Sequence, residues 1–372
     1  MKIAMVVTGG LHPSGTEQIV PSWLALFERL AKSHEIHAFV LRHLAEPQRY
    51  QLRGVTVHDL GRPSASMGLT RWAQERALTR ALDANGPFEV IHGFWADPAG
   101  QLAARAGRRL RVPSVVTCDS GEFVSLPAIK YGSQRTWTGR RAVTEACALA
   151  TVVHVCSRYM HALAAARGIK ATIIPLTSVT SQAATIKPAS RRAADAPFRL
   201  VQVASLSPVK NQRLLLDTLR LVRERVDAKL DLVGEDTLNG SLQRHADAIG
   251  VGPHVTFHGF LPQDRVADVL TAADLYVQTS LHEAAGVSVL EAAAAGVPVV
   301  GTLAGYVADW TPLKAMALGD AIPGSLADAI LALHADGDRR RSMAAAARTF
   351  AIAQDATWVA AQFDQLYRSL HT

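Results

Sequence analysis

The sequence predicts an α/β protein of two doubly wound, mainly parallel sheets with a cleft between them. Three observations lead there. Short apolar runs alternate with amphipathic stretches almost from end to end. The runs lack an in-out alternation, as expected of strands covered on both faces. A stretch rich in Ser, Thr, Ala and Pro, TSVTSQAATIKPASRRAADAP (177–197), interrupts the alternation, which then starts again. At 372 residues the chain is too long for one ordinary core, so two domains of roughly 150–200 residues are expected.

The elements follow in order. An apolar run at 3–8 ends in Gly9-Gly10 and reads as a first buried strand. A helix over 17–33 and a strand over 36–41 complete a βαβ unit. Strands at 90–92, 114–117, 151–156 and 172–175 then alternate with helices at 101–109 and 134–149. Beyond the interruption, strands are predicted at 199–204, 229–233, 255–257, 275–278 and 298–301. Helices are predicted at 211–225, 242–249, 263–272 and 286–295. The domain assignment is therefore 1–180, a linker at 181–197, and 198–355. A terminal segment, 356–372, carries an amphipathic helix at 357–370 expected to pack back on the first domain. In open sheets of this kind ligands sit beyond the carboxyl ends of the strands.

Composition narrows the class. With 49% hydrophobic and 19% charged residues, the chain has ample core material and is not of the disordered type. The formal net charge of +7 favours anionic partners such as phosphate ligands or an anionic membrane face. The Lys and Arg residues are scattered, so no nucleic-acid partner is expected. Cys118, Cys147 and Cys156 match no zinc spacing and read as small packing residues of a reducing compartment. The apolar start MKIAMVV is too short for a signal core or a membrane span. No run of about 18 apolar residues occurs. A cytoplasmic protein is expected, its basic charge compatible with peripheral attachment to the inner face of the membrane.

The chemistry concentrates in HEAAGVSVLEAAAAGVPVV (282–300). Glu283 falls in the loop after the strand at 275–278, and Gly286 can open a helix that carries Glu291. The first amides of that helix, from Gly286, Val287 and Ser288, lack intrahelical acceptors and suit a diphosphate. Flanking carboxylates suit the vicinal hydroxyls of a ribose or hexose. Lys210 lies after a strand and Pro208 and before a helix, where a lysine can reach a diphosphate as a point charge.

These stretches resemble the retaining glycosyltransferases of the GT-B fold, family 4, which have two Rossmann-like domains. The likeness rests on Glu283-x7-Glu291 followed by AAAAGVPVV (292–300). It extends to ASLSPVKNQRLLLDTL (204–219), LVGE (232–235), VTFHGFLP (255–262) and AADLYVQTSLHE (272–283), and more loosely to FEVIHGFWADPAG, PSVVTCDSGE and ATVVHVCSRYM. It covers nearly the whole chain and is strongest over 200–302. It implies transfer of a hexose-like sugar from a nucleoside diphosphate to an acceptor hydroxyl, with retention and without a metal cofactor. The departing diphosphate would help to take the acceptor proton. Lys210, Ser205 and the helix start at Gly286, Val287 and Ser288 would hold the diphosphate, Glu283 the transferred sugar and Glu291 the ribose. Phe260 and Leu261 would border the base. Gly15, in the loop TGGLHPSGTEQ, would allow close backbone approach.

Two departures stand out. The family commonly has a Gly-Arg pair shortly before the lysine; Ala204-Ser205 stands here, and Ser205 keeps only a hydrogen-bond donor. Family members often carry T-x-H-G where this chain reads TCDSGEF, so Asp119 takes the histidine position beside the sugar, with Glu122 close by. Asp336-Gly337-Asp338 matches the D-x-D metal motif of a different glycosyltransferase fold, but it lies between late helices ahead of three arginines, and no metal is expected there. His92 and His154 read as core residues, and Trp95 as lining either the acceptor side or the core. His12 reads as a solvated loop residue. The expected partners are a nucleotide-sugar donor and a glycan, lipid-linked or small-molecule acceptor. The competing readings are a non-catalytic sugar-nucleotide-binding subunit of a polysaccharide assembly complex and a sugar-nucleotide epimerase.

Overall fold

The computed structural model describes residues 1–62, 70–180, 196–311, 313 and 316–371. The chain divides into two compact units, Met1–Thr177 with Ala356–Thr372, and Ser178–Asp355. The linker expectation at 181–197 falls mainly on residues outside those described.

The first unit runs β1 (Lys2–Val7), α1 (Pro21–Leu30), β2 (Glu35–Val40), β3 (Gln48–Leu52), β4 (Val55–Asp59), α2 (Thr70–Asn85) and β5 (Val90–Phe94). It continues with α3 (Gln101–Leu110), β6 (Ser114–Cys118), α4 (Trp137–Leu149), β7 (Val152–Val155), α5 (Arg158–Ala165) and β8 (Thr172–Ile173). Among the described residues its sheet has eight strands in the order β3-β4-β2-β1-β5-β6-β7-β8. All neighbours are parallel except β3 against β4. That hairpin was not predicted. The strand QRYQL is polar on most positions and partly exposed, as an edge strand can be, and so carries no apolar run. The first helix is shorter than predicted. Pro21 opens it at a position where a missing N–H costs nothing, and residues 8–20 form a loop closed by a bridge between Leu11 and Ile19. Helix α4 starts at Trp137, capped by the Thr136 side chain.

The second unit runs β9 (Phe198–Val203), α6 (Gln212–Arg223), β10 (Ala228–Val233), α7 (Ser241–Ala248), β11 (Val255–Gly259), α8 (Gln263–Thr271) and β12 (Leu275–Gln278). Then come α9 (Val287–Ala294), β13 (Val299–Gly301), α10 (Gly305–Trp310), β14 (Ala317–Leu318), α11 (Pro323–Ala335) and α12 (Gly337–Ala353). Its sheet is parallel, in the order β11-β10-β9-β12-β13-β14. The strand order reverses between β9 and β12, which makes their carboxyl ends the place where a crevice opens. The core forms where apolar strand residues such as Leu200, Leu230 and Val277 meet Leu215, Leu219 and Ile330 from the helices.

The last helix, α13 (Ala356–Ser369), belongs to the first unit and packs on α1. Polar contacts fix it, Arg29 Nε donating to Thr357 Oγ1 at 3.3 Å near the surface. His34 bonds Asp364 at 2.7 Å. Deeper, Tyr367, His92, Thr117 and His154 form a buried chain with links of 2.6, 2.6 and 2.8 Å, ending 2.7 Å from the Ile174 carbonyl. Burial lowers the pKa of both imidazoles, His154 to about 4, so both are neutral at pH 7. The direction of every bond then follows. The Ile174 carbonyl only accepts, so His154 Nε2–H donates to it and Nδ1 accepts from Thr117. Thr117 in turn accepts from His92 Nε2–H, and His92 Nδ1 accepts from Tyr367. The two histidines are thus satisfied core residues.

Candidate functional site

In the second unit the loops after β9 and β12 are joined by hydrogen bonds. Gln202 donates to Thr279 Oγ1 at 3.0 Å, Thr279 to the Lys210 carbonyl at 2.9 Å, and the Leu281 N–H to the Val209 carbonyl at 2.8 Å. This places Lys210 Nζ 2.6 Å from Glu283 Oε1, which also accepts from Ser280 at 2.7 Å. The two side chains keep 25% and 11% of their surface exposed, so the pair is sheltered yet open to a ligand. A sheltered ammonium at the end of two central strands, its orientation fixed by a carboxylate, suits an incoming polyanion.

Gly286 caps α9 with φ +87°, and a Cβ there would stand 2.8 Å from Gln278 Oε1. The positive φ favours glycine, and the cap sets the amides of Val287 and Ser288 in the first turn, where no intrahelical acceptor exists. Gly286 is thus the cap rather than part of the helix predicted to start there. Tyr276 OH donates to the Val203 carbonyl at 3.2 Å and so accepts from Ser288 Oγ at 2.8 Å, which orients that hydroxyl.

Glu291 takes its partners elsewhere. It accepts from Ser178 Oγ at 2.6 Å and from Gln263 at 3.2 Å. Burial raises its pKa, and those two donors offset part of the rise. Among the described residues, the two glutamates singled out in the sequence therefore share no hydrogen-bond partner; each is held by its own set. Ser205 is exposed at the end of β9, and its carbonyl accepts from Gln212. Phe260 is 57% exposed after β11, with Leu261 partly buried beside it.

In the first unit the loop after β1 holds Gly15 at φ +66°, its N–H bonded to the His12 carbonyl at 2.9 Å. The His12 ring bonds Ser14. Asp119 ends β6. Its Oδ2 accepts the Trp23 indole N–H at 3.0 Å, while Oδ1 is enclosed without a hydrogen-bond partner among the described residues. Three residues on, buried Glu122 accepts from the N–H of Ser120 at 2.8 Å and of Ala96 at 3.3 Å. Burial, with the Glu122 carboxylate beside it, pushes Asp119 up to about 8. Burial also pushes Glu122 up to about 7, against the backbone N–H groups that favour its anion. Glu122 accepts a backbone N–H at each oxygen, so the first proton goes to Asp119. The roles of Trp23, Gln202, Thr279, Ser178 and Gln263 were not apparent in the sequence; nothing local marks them.

Asp336 and Asp338 are spent on structure. Asp336 caps α12 by accepting the Arg339 N–H at 2.8 Å, and Asp338 pairs with Arg341. Among the described residues no cluster of three or more His, Cys, Asp or Glu comes within metal-holding range.

Comparison with known proteins gives this geometry a family. The description "Glycosyl transferases group 1" matches residues 184–350, and "Glycosyl transferase 4-like domain" matches 19–177. The chain belongs to the group 1 glycosyltransferases of the family 4 type, and its fold is GT-B. A Mycobacterium tuberculosis GDP-mannose-dependent alpha-(1-6)-phosphatidylinositol monomannoside mannosyltransferase is 33% identical over 167 residues, 42% of this chain and 43% of the relative. The chain spans less than half the length of the first curated relatives it matches. Among solved structures, sucrose-phosphate synthase from Thermosynechococcus elongatus superposes with a TM-score of 0.79 at 20% identity, covering 100% of this chain and 99% of that one. The Anabaena protein HepE in complex with UDP-glucose gives 0.77 at 18%, covering 99% and 100%. At such identities the likeness speaks for the fold.

Proposed function

We propose that the protein is a retaining, metal-independent glycosyltransferase that moves a sugar from a nucleoside diphosphate to a hydroxyl of a glycan, lipid-linked or small-molecule acceptor. The observation that carries this reading is the Lys210–Glu283 pair, 2.6 Å apart beyond the carboxyl ends of β9 and β12, with the Gly286-capped start of α9 following in the same loop. The diphosphate would displace Glu283 as the partner of Lys210 and receive the amides of Val287 and Ser288 and the Ser205 hydroxyl. Freed from the lysine, Glu283 would accept bonds from the transferred sugar. Glu291 would hold the ribose, and exposed Phe260 with Leu261 would border the base. As the acceptor oxygen bonds to the anomeric carbon, the bond from that carbon to the diphosphate breaks, and the acceptor proton passes to the departing diphosphate. The protein's work is then to stabilise negative charge growing on the leaving group.

Neighbours that carry UDP or UDP-glucose support donor binding, while the printed name of the mycobacterial relative specifies GDP-mannose. The donor base is open between them. The net charge of +7 supports contact with an anionic membrane face from a cytoplasmic setting, and among the described residues no helix is long and apolar enough to cross a membrane. The test is transfer from a panel of nucleotide sugars to simple glycosides in EDTA, with proton NMR of the product. An axial donor giving an axial linkage supports the reading, and inversion or dependence on metal contradicts it. Donor binding with no transfer to any acceptor would favour a non-catalytic subunit, the reading that the missing arginine before Lys210 suggests.

A further inference from the structure

Trp95 occupies an unusual position. It stands directly after β5, which lies beside β1 at the point where the first sheet's strand order reverses, so it borders the crevice expected there. Its backbone has φ +63° and ψ 125°, outside the regions that a bulky L-residue adopts without strain. Such strain persists only when the surroundings impose it, and it gathers at ligand clamps.

The surroundings do impose it. The Gly100 N–H bonds the Trp95 carbonyl at 2.8 Å, and a Cβ on Gly100 would stand 2.9 Å from that oxygen. The next amide, Ala96 N–H, is held by Glu122 Oε1. The ring lies against Trp23, with centroids 4.8 Å apart and planes at 61°. Trp23 is itself fully buried and fixed by its N–H bond to Asp119. Two buried acids thus converge on one partly exposed indole, one through its backbone and the other through the ring it rests on. The charged groups around them are Asp97, which raises Glu122 further, and Arg71, which pairs with Asp97. A ring that only filled the core would need neither the strained backbone nor the exposure.

We propose that Trp95 is a stacking platform for the apolar face of a sugar ring in the first unit, with Asp119 and Glu122 as the residues that position it. An indole face offers area and polarisable electrons at little entropic cost, which suits the C–H face of a pyranose. Asp119 then acts through Trp23, whose indole N–H it accepts, rather than by touching the sugar. That the ring belongs to an acceptor glycoside rests on the proposed function, whereas the platform itself does not.

The chain has six tryptophans, so the indole N–H resonances of the ¹⁵N-labelled protein are few enough to follow singly. Methyl α-D-glucopyranoside and methyl α-D-mannopyranoside are titrated into the millimolar range. The expected result is a saturable shift of one indole resonance with at least one glycoside. That resonance is absent from Trp95→Phe, and in Trp95→Leu the affinity falls at least tenfold. Through-bond assignment of the wild-type indole gives the same readout if a variant does not fold. No indole shift with either glycoside, or a shift confined to another tryptophan, overturns the platform. UDP-glucose and GDP-mannose added to the same sample report on the donor reading separately, because their shifts fall on second-unit amides such as Val287 and Ser288.

Discussion

The two units hold their sheltered carboxylates differently, the contrast being sharpest between Glu283 and the Asp119–Glu122 pair. In the second, Glu283 is paired with Lys210 and Ser280, and Glu291 is bonded by Ser178 and Gln263. In the first, Asp119 and Glu122 have no cation bonded to them among the described residues and rely on an indole and two backbone N–H groups. The Lys210 ammonium gives Glu283 a charged partner that can be exchanged for a ligand. The Asp119–Glu122 arrangement holds a proton and fixes geometry. A unit that must accept and release a polyanion needs charges it can re-pair; a unit that presents a surface needs rigidity.

Removing the cation should break the comparison most sharply. Lys210→Ala leaves Glu283 with Ser280 and strips the diphosphate of its point charge. Turnover should fall on the order of 10²-fold or more, as the loss of a group that stabilises the leaving anion does. Steady-state kinetics with the identified donor check this, and an unchanged kcat removes Lys210 from the mechanism. Glu291→Ala should act on binding instead, weakening the nucleotide about tenfold through one lost charge-assisted bond pair while kcat with saturating donor changes less. Equal losses in kcat and affinity would place Glu291 closer to the reacting centre than the ribose.

In the first unit, Tyr367→Phe removes the hydroxyl at the end of the buried chain and leaves His92 Nδ1 without a donor. The loss should be about 1–3 kcal/mol, seen as a lower denaturant midpoint. An unaffected midpoint would mean that the buried chain adds nothing to what holds α13.

The remaining effect is in pH dependence. The folded pKa of Asp119, about 8, lies above its ordinary 3.8, so the folded state binds the extra proton. The stabilisation tied to that proton is complete below the ordinary value and is lost as pH rises through about 8. Relative to wild type, Asp119→Asn should therefore gain stability steadily from about pH 4 to 8, by at most about 1.4 kcal/mol per pH unit. Parallel melting curves across that range would show Asp119 to be ionised in the native protein.

Much of this was legible in sequence for identifiable reasons. Strands covered on both faces leave unbroken apolar runs, so nearly every inner strand could be placed within a residue or two. The polar edge strand β3 and the late, Pro-opened start of α1 could not, because neither leaves a periodic trace. Lys210, Glu283 and Gly286 were visible because each lies between a strand and the helix that follows it. The Asp119–Trp23 bond spans 96 positions, and nothing near either residue announces the other. The same holds for Ser178 and Glu291, 113 positions apart.

The central claim is that the second unit binds a nucleoside diphosphate sugar through Lys210, the α9 start and Glu291. The most direct measurement is a thermal-shift screen of the purified chain against UDP-, GDP-, ADP-, CMP- and TDP-sugars, with and without EDTA, repeated on Lys210→Ala. A ligand that binds only the native state must raise the melting temperature. The account predicts a shift selective for one nucleotide, unchanged by EDTA and diminished in the variant. No shift with any nucleotide sugar from folded wild-type protein, or a shift that the variant retains in full, would contradict it.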